Sequence, residues 1–457
     1  MWAYDSAMPI ETAGADRPVT RAAGMNAARL PAWLPGIGWA VAALSVACTI
    51  EMMVVHQGID LNQLDLRVYL MGAEHVSDPA LYSLGLQHST IHLPFTYPPF
   101  AAIAFFPLSL VSESAAQVIV SAVNVGCLVA LIALALRMGV PSMDVRRRLM
   151  VALIFSYPAF LLNPVTLTNS FGQVNLVLAV LVWADLGRPL HVRGRAVPQG
   201  YLVGVAAAVK LVPLIYLLYL LVIRRFRIAI TGLATFVGCI VLGFAVNPHG
   251  SWLYWTKYVD DSSRMGNVFY ISNQSLLGAL DRLAGRQLPT VPIDVLAVIV
   301  MGFGLVLADR VGREDALLAL VVVSATGDVV SPITWVHHLV WVVPLLVWMT
   351  FAPTRPRLGR WWALAVFAVL WWSPVFRVPY GNRRELSLNG WQQVLGNAYF
   401  FMMVALLLLV ALWVKRRGIG RSPRTRGSPA HGNTAHEVNS KAVIATSASA
   451  EATARNV

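Results

Sequence analysis

Residues 115–136 read AAQVIVSAVNVGCLVALIALAL, and this stretch decides the fold class. A helix rises about 1.5 Å per residue, so an apolar run of this length spans the roughly 30 Å hydrocarbon layer of a bilayer. Shortly after it stand Arg146, Arg147 and Arg148, the kind of basic cluster that membrane proteins retain on the cytoplasmic side. Outward from this run, further apolar runs predict helices over 34–54, 149–162, 174–186, 228–246, 295–307, 316–330, 338–350, 361–372 and 394–414. Of the 457 residues, 57% are hydrophobic and 12% charged, and mean hydropathy is +0.64. Soluble domains carry roughly a quarter charged residues. A soluble fold is excluded, and the expected class is an all-α polytopic membrane protein.

The net charge of +13 has a topological origin. Arg188, Arg193 and Arg195 form one cluster, Arg224, Arg225 and Arg227 another, and Arg355, Arg357 and Arg360 a third, each capping an apolar run. With Lys415, Arg416 and Arg417 they predict cytoplasmic loops and cytoplasmic termini in the plasma membrane. The charge therefore meets anionic membrane lipid rather than nucleic acid. Two runs fit this sidedness only with a break. Residues 100–111, after Pro98-Pro99, read as a re-entrant or interfacial helix, and 201–223, interrupted by Lys210 and Pro213, as two short crossings that meet at the outer face. About twelve crossings result. The domain plan is a leader over 1–32, a membrane domain over 33–414 and a disordered basic tail over 415–457. Three polar segments, 56–97, 247–292 and 373–393, face outward. No cleaved signal is expected, since the run at 34–54 exceeds a signal core and follows a polar leader.

Cys48, Cys127 and Cys239 all lie in apolar runs, which gives neither a disulfide framework nor a thiolate cluster. No Gly-rich loop ending in Lys-Ser or Lys-Thr is present, so nucleotide chemistry has no apparatus. The outward segments hold the reactive groups. Asp60 and Asp65 follow the first membrane helix, and a helix over 65–75 puts Asp65 and Tyr69 one turn apart on one face with Gly72 below. The plain alternative for Asp65 is a helix cap or a solvated charge. Pro94-Phe95-Thr96-Tyr97-Pro98-Pro99 is a rigid aromatic turn, or simply a helix start. Lys210 stands in an otherwise apolar stretch, where an ammonium is costly unless it serves a site or snorkels to the interface.

Ser331-Pro332-Ile333-Thr334-Trp335-Val336-His337-His338 begins a helix at the outer boundary. Adjacent histidines project about 100° apart on a helix, which suits hydrogen bonds to an anion better than joint metal ligation. Gln173 and Asn175, with Asn273 in Ser272-Asn273-Gln274-Ser275, add amides fit for hydroxyl-rich ligands or for helix caps. These groups come from five separate segments and map to one outer face. Their convergence suggests a glycosyltransferase that takes its sugar from a lipid phosphate.

In these motifs the chain resembles the actinobacterial polyprenyl-phosphate-mannose-dependent α-1,2-mannosyltransferases of the GT-C superfamily, the phosphatidylinositol mannoside type. The resemblance runs from about residue 34 to 413 and rests on Asp65-Leu66-Arg67-Val68-Tyr69, Phe95-Thr96-Tyr97-Pro98-Pro99, Gly172-Gln173-Val174-Asn175, Ala208-Val209-Lys210-Leu211-Val212-Pro213 and the Ser331 to His338 segment. It implies a GT-C fold with a helical first outer loop and Asp65 as catalytic base. The implied donor carries a β-linked mannose and the product an α linkage, so one inverting displacement suffices. Lys210, His337 and His338 are then the groups for the departing phosphate, and Tyr69, Tyr97, Gln173, Asn175, Trp335, Asn273, Arg264 and Arg377 line sugar and acceptor. An apolar groove beside 100–111 would take the lipid tail. No cofactor is required, although the Asp260-Asp261 pair keeps a divalent cation open. The rival readings are transfer of arabinose from polyprenyl-phosphate-arabinose and, in another class, a lipid or sugar transporter. Transport is disfavoured because the halves show no similarity and the polar groups gather at one face.

Overall fold

A computed structural model describes residues 34–52, 63–88, 91–187, 191–192 and 195–418. The leader, Asp60 and the tail beyond residue 418 lie outside them. The chain begins with α1 (Leu34–Glu51) and α2 (Leu64–Glu74), then the hairpin β1 (Gly85–His88) and β2 (Ile91–Pro94). Next come α3 (Pro99–Ser109), α4 (Glu113–Gly139), α5 (Val145–Phe160), α6 (Asn163–Ser170) and α7 (Asn175–Gly187). A second hairpin, β3 (His191–Val192) and β4 (Arg195–Ala196), leads to α8 (Tyr201–Val209), α9 (Leu214–Val222), α10 (Phe226–Val246) and α11 (Pro248–Leu253). The remainder is α12 (Leu276–Ala284), α13 (Thr290–Gly312), α14 (Ala316–Val330), α15 (Val342–Phe351), α16 (Gly359–Trp372), α17 (Gly390–Gly396) and α18 (Ala398–Arg417). The fold is mostly helical, but the expectation of an all-α chain is corrected by the two small antiparallel hairpins, β1 pairing Gly85 with Pro94 and Leu86 with Leu93.

Among the described residues, α4, α10, α13 and α18 are each long and apolar enough to cross a bilayer. The pair α5 and α6, bent by 82° at its break, makes a fifth if taken as one span. The other apolar helices are shorter, and the expected count near twelve treats them as crossings too. Side-chain caps set several starts. Ser112 accepts from the Ala115 amide at α4, Asp144 from Arg147 at α5, and Asp315 from Leu318 at α14. At the centre lies α14, buried along nearly its whole length and packed against α13, α9, α15 and α18.

The break expected in 201–223 is present. Helix α8 ends at Val209, Lys210 adopts extended backbone (φ −150°, ψ 130°), and α9 starts four residues later behind Pro213. The segment after Pro98 is likewise short: α3 has 11 residues and Pro99 in its first turn. One helix start differs from expectation. Val336–Trp341 is a 3-10 turn kinked at Leu339, and the α-helix begins only at Val342. His337 and His338 thus sit on a tighter turn than an α-helix.

Two buried groups fix the frame around this break. Asp185 on α7 accepts from the backbone amides of Gly200 and Val203, capping α8. On the far rim, Arg282 of α12, fully buried, donates twice to Asn397 Oδ1 and also to the carbonyls of Phe269 and Tyr270. Helix α8 lies against α10 with almost no side chain between them. A Cβ on Gly204 would come within 2.4 Å of the Gly232 carbonyl oxygen. Small residues permit this approach in apolar surroundings, where close backbone packing holds helices together. Gly204→Leu should therefore push α8 off α10, with an overpacking cost of about 1–3 kcal/mol or more. The expected result is a clearly lower Tm of the detergent-solubilised protein; an unchanged Tm would mean that the contact is not closely packed.

Candidate active site

The site forms where α2, the Phe171-Gly172-Gln173 turn, the Lys210 break and the His337-His338 turn meet. Helix α2 is seated on the turn by its first amides, since the N–H groups of Asp65 and Leu66 both donate to the Phe171 carbonyl, at 3.1 and 3.2 Å. The approach needs glycine. Gly172 has φ +66°, and a Cβ there would meet the Leu66 Cβ at 2.7 Å. The next residue, Gln173, is the joint. Its Nε2 donates to Asp65 Oδ2 at 2.5 Å while its Oε1 accepts from the Tyr69 hydroxyl at 2.7 Å. Tyr69 lies 2.9 Å from the Tyr97 hydroxyl and stacks on Phe105 with ring centroids 4.4 Å apart.

Across from this chain Lys210 Nζ donates to Asn175 Oδ1 at 3.0 Å and lies 3.1 Å from His338 Nε2. It also stands over the Tyr97 ring at 5.7 Å. The supports are buried, Tyr69, Gln173 and Asn175 among them. The groups they hold, Asp65, Tyr97, Lys210 and His338, keep part of their surface open. This division suits a site: rotamers are fixed from behind while reactive atoms face outward.

Burial raises the Asp65 carboxyl above the ordinary aspartate range; the Gln173 hydrogen bond and the nearby charge of Lys210 pull it back down. The result is a carboxylate more basic than one in water, held by a neutral donor and in the field of a cation. Tyr69 and Tyr97 are pushed up, again chiefly by burial, and stay protonated as hydrogen-bond donors.

Seven of the residues singled out from sequence, Asp65, Tyr69, Tyr97, Gln173, Asn175, Lys210 and His338, join in one cluster. Others sit differently. His337 is buried with its ring against Phe171, 5.5 Å between centroids, and T-shaped to His338 at 4.9 Å. Its carbonyl accepts from Thr168 and Asn175, while both ring nitrogens lack a hydrogen-bond partner. Trp335 packs edge-on to Tyr270. Arg264 donates to the Tyr82 carbonyl and stacks over Tyr258, one layer out, since Tyr82 in turn donates to the Tyr97 carbonyl. Arg377 is exposed and its guanidinium bonds the Trp372 carbonyl at the end of α16. Gly72 packs under Phe95 rather than flooring the site.

Asn273 is wholly buried. Its amide donates to the Val268 and Pro332 carbonyls and accepts from the Thr334 and Ser275 amides, tying the 268–275 loop to the 332–335 segment. Sequence reasoning missed Gln63, which donates to Ser121 Oγ, and Asn124, which donates to the Gln173 carbonyl. It also missed Asp328, a lone carboxylate in an apolar run, which that isolation could have flagged. Among the described residues no three His, Cys, Asp or Glu side chains converge to hold a metal ion. Asp261 instead caps its own turn by accepting from the Ser263 amide.

The sequence model of glycosyltransferase family 87 matches residues 95–332. A polyprenol-phosphate-mannose-dependent alpha-(1-2)-phosphatidylinositol mannoside mannosyltransferase of Mycobacterium tuberculosis is 33% identical over 388 residues, covering 80% of this chain and 88% of its own length. The protein of the same name from Mycolicibacterium smegmatis is 33% identical over 393 residues, 81% of this chain and 86% of its own. A polyprenol-phosphate-mannose-dependent alpha-(1-2)-phosphatidylinositol pentamannoside mannosyltransferase of Mycobacterium tuberculosis is 31% identical over 320 residues, 68% and 73% of the two chains. No solved structure matches.

The bonds of Asn273 separate a strut from a ligand contact. Asn273→Ala leaves the buried Thr334 and Ser275 amides without their acceptor and takes a donor from the Val268 carbonyl, and each buried amide so orphaned costs about 1–3 kcal/mol. Tm should fall by several degrees at least. An Ala variant with unchanged Tm would return Asn273 to the list of ligand contacts.

Proposed function

The chain belongs to glycosyltransferase family 87, and on that footing we propose that it moves mannose from polyprenyl-phosphate-mannose to a hydroxyl of a phosphatidylinositol-mannoside-type glycolipid, forming an α-1,2 linkage. The observation that carries this reading is the opposition of two charges of fixed role: a half-open carboxylate held by Gln173, and an ammonium held by Asn175 and His338. An inverting displacement needs both. Asp65 accepts the proton of the acceptor hydroxyl as that oxygen bonds to the anomeric carbon. The bond from that carbon to the phosphate oxygen breaks, and its electron pair leaves on the polyprenyl phosphate. Lys210 and His338 are the donors that meet the growing negative charge. The unpartnered ring nitrogens of His337, beside His338, extend this edge.

Tyr69, Tyr97, Gln173 and Asn175 would line the sugar, with Trp335 and Arg264 farther out on the acceptor side. The exposed residues Phe106, Leu110 and Val111, at and just beyond the end of α3, offer an apolar border for the lipid tail. Charge stabilisation by the chain's own donors leaves this mechanism without need of a metal. We place the site on the outer face of the plasma membrane, both termini in the cytoplasm, and the whole in a GT-C arrangement of about twelve crossings. The Arg146 to Arg148 cluster supports that sidedness. Arabinose is not taken up as the sugar, because the relatives are named for mannose.

Incubation of purified protein with radiolabelled polyprenyl-phosphate-mannose and a cell-envelope lipid extract tests the reading, with linkage analysis of the product. Asp65→Asn keeps shape and removes basicity. Transfer should fall about a hundredfold or more, since general-base catalysis contributes typically 10²–10⁴, while the fold persists. A base must be ionised, so kcat/KM should hold above the Asp65 pKa and fall as pH drops through it. Burial sets that limb higher than for a free aspartate. Gln173→Leu removes a donor that favours the ionised form and should move the limb higher still; a limb unmoved in that variant would assign the base elsewhere.

Sidedness has its own test. In a variant freed of Cys48, Cys127 and Cys239, Arg147→Cys should react with an impermeant thiol reagent only after the membrane is opened. Labelling from outside in intact cells would invert the topology.

A further inference from the structure

Below Lys210 a cavity of about 80 Å³ lies between α7, α9, α14 and the His338 to Trp341 segment. Asp65 is not part of its wall. The lining is largely apolar, but Asn175, Lys210 and His338 enter it from the site and Asp328 enters it from α14. Asp328 is buried, and its Oδ2 accepts the indole N–H of Trp341 at 2.5 Å. The mechanism above makes no use of it.

A carboxylate here needs a reason. An indole N–H is satisfied by a neutral amide as well as by a charge, and taking a carboxylate out of water is unfavourable unless a cation answers it. The cation that shares the cavity is Lys210, and the hydrogen bonds that hold its ammonium go to neutral groups, Asn175 and His338. The titratable groups around Lys210 are Asp65 on α2, Tyr97 ahead of α3, Tyr216 on α9, Asp328 on α14, and His337 and His338 in their turn. Two of these are carboxylates, one on the reacting side and one behind. Asp65 gives up its negative charge in every turnover, when it takes the acceptor's proton. Asp328 does not.

We propose that Asp328 is a positioning residue that keeps Lys210 charged and aimed at the donor phosphate throughout the cycle. The proposal rests on the reading that Lys210 meets that phosphate. Four features follow. The donor kcat/KM of the wild-type enzyme should fall at alkaline pH as Lys210 loses its proton. Asp328→Asn should bring that limb down by about one pH unit, the low end of what a neighbouring opposite charge contributes. It should raise the donor KM several-fold at pH 8 and leave the acceptor KM unchanged. Asp328→Glu, which restores the charge, should return the limb towards its wild-type position.

The test is the pH profile of the purified full-length enzyme with polyprenyl-phosphate-mannose as varied substrate. An Asp328→Asn limb that stays in place, with activity lowered equally at every pH, overturns the proposal and leaves Asp328 as a prop for Trp341. Should Asp328→Asn fail to fold, Trp341→Phe decides: loss of the indole donor disfavours the ionised carboxylate, so the limb must move the same way, and an unmoved limb again overturns the proposal. Failure of the underlying reading looks different. In that case the wild-type enzyme shows no alkaline limb and Lys210→Met uses the donor normally, which removes this proposal together with its premise.

Discussion

A positive charge set between two nine-residue apolar helices, α8 and α9, governs the architecture of this protein. An ammonium in such surroundings is unstable unless polar partners reach it, and the fold brings them from several elements. Asn175 comes from the start of α7 and His338 from a 3-10 turn. The backbone accommodates this by leaving the helix at Lys210, whose ammonium then reaches Asn175 and His338. What in a soluble protein would be a minor kink is here the condition for a site.

Around that charge the polar groups form a graded set of shells. Lys210 and Asp65 are partly open, the amides that hold them, Asn175 and Gln173, are buried, and these are held in turn: Gln173 by its place after Gly172 and by Asn124, and Asn175 by the His337 carbonyl. Each buried amide has at least one bond to something rigid. Such arrangement reduces reorganisation when charge moves, which is where preorganised sites gain their effect. The same logic explains why a mostly apolar chain keeps Gln, Asn and Thr clustered over 166–175.

Much of this was legible in the residues. The periodic helix at 64–74, the short segment after Pro98-Pro99 and the break at Lys210 all follow from local rules about proline, charge and length. The union of Asp65, Tyr69, Gln173, Asn175 and Lys210 was legible too, because each was an anomaly against its apolar or loop background. Legibility failed where meaning depends on a distant partner. Asp328 looks like one stray charge until α14 is packed against Trp341 and the Lys210 break. Asn273 looks like a ligand-binding amide until its partners prove to be backbone groups of a segment some sixty residues away. Arg264 and Arg377 carry the right charge, but their guanidinium groups bond carbonyls outside the cluster. The hairpins went unseen because strands of two to four residues leave almost no alternation to detect.

The joint at Arg282 has a consequence of another kind. Its four hydrogen bonds end on amide oxygens, one from a side chain and two from the main chain, and none ends on a carboxylate. A latch made from an ion pair loosens when acid neutralises the anion or when salt screens the attraction. This one offers acid no anion to neutralise at the point of contact, and its burial keeps mobile ions out. The rim that joins α12 to the head of α18 is thus insulated at its contacts: no hydrogen bond in it is undone by protonating the acceptor, and acid reaches the joint only through Asp281 and Glu385, the buried carboxylates whose charges act on the guanidinium.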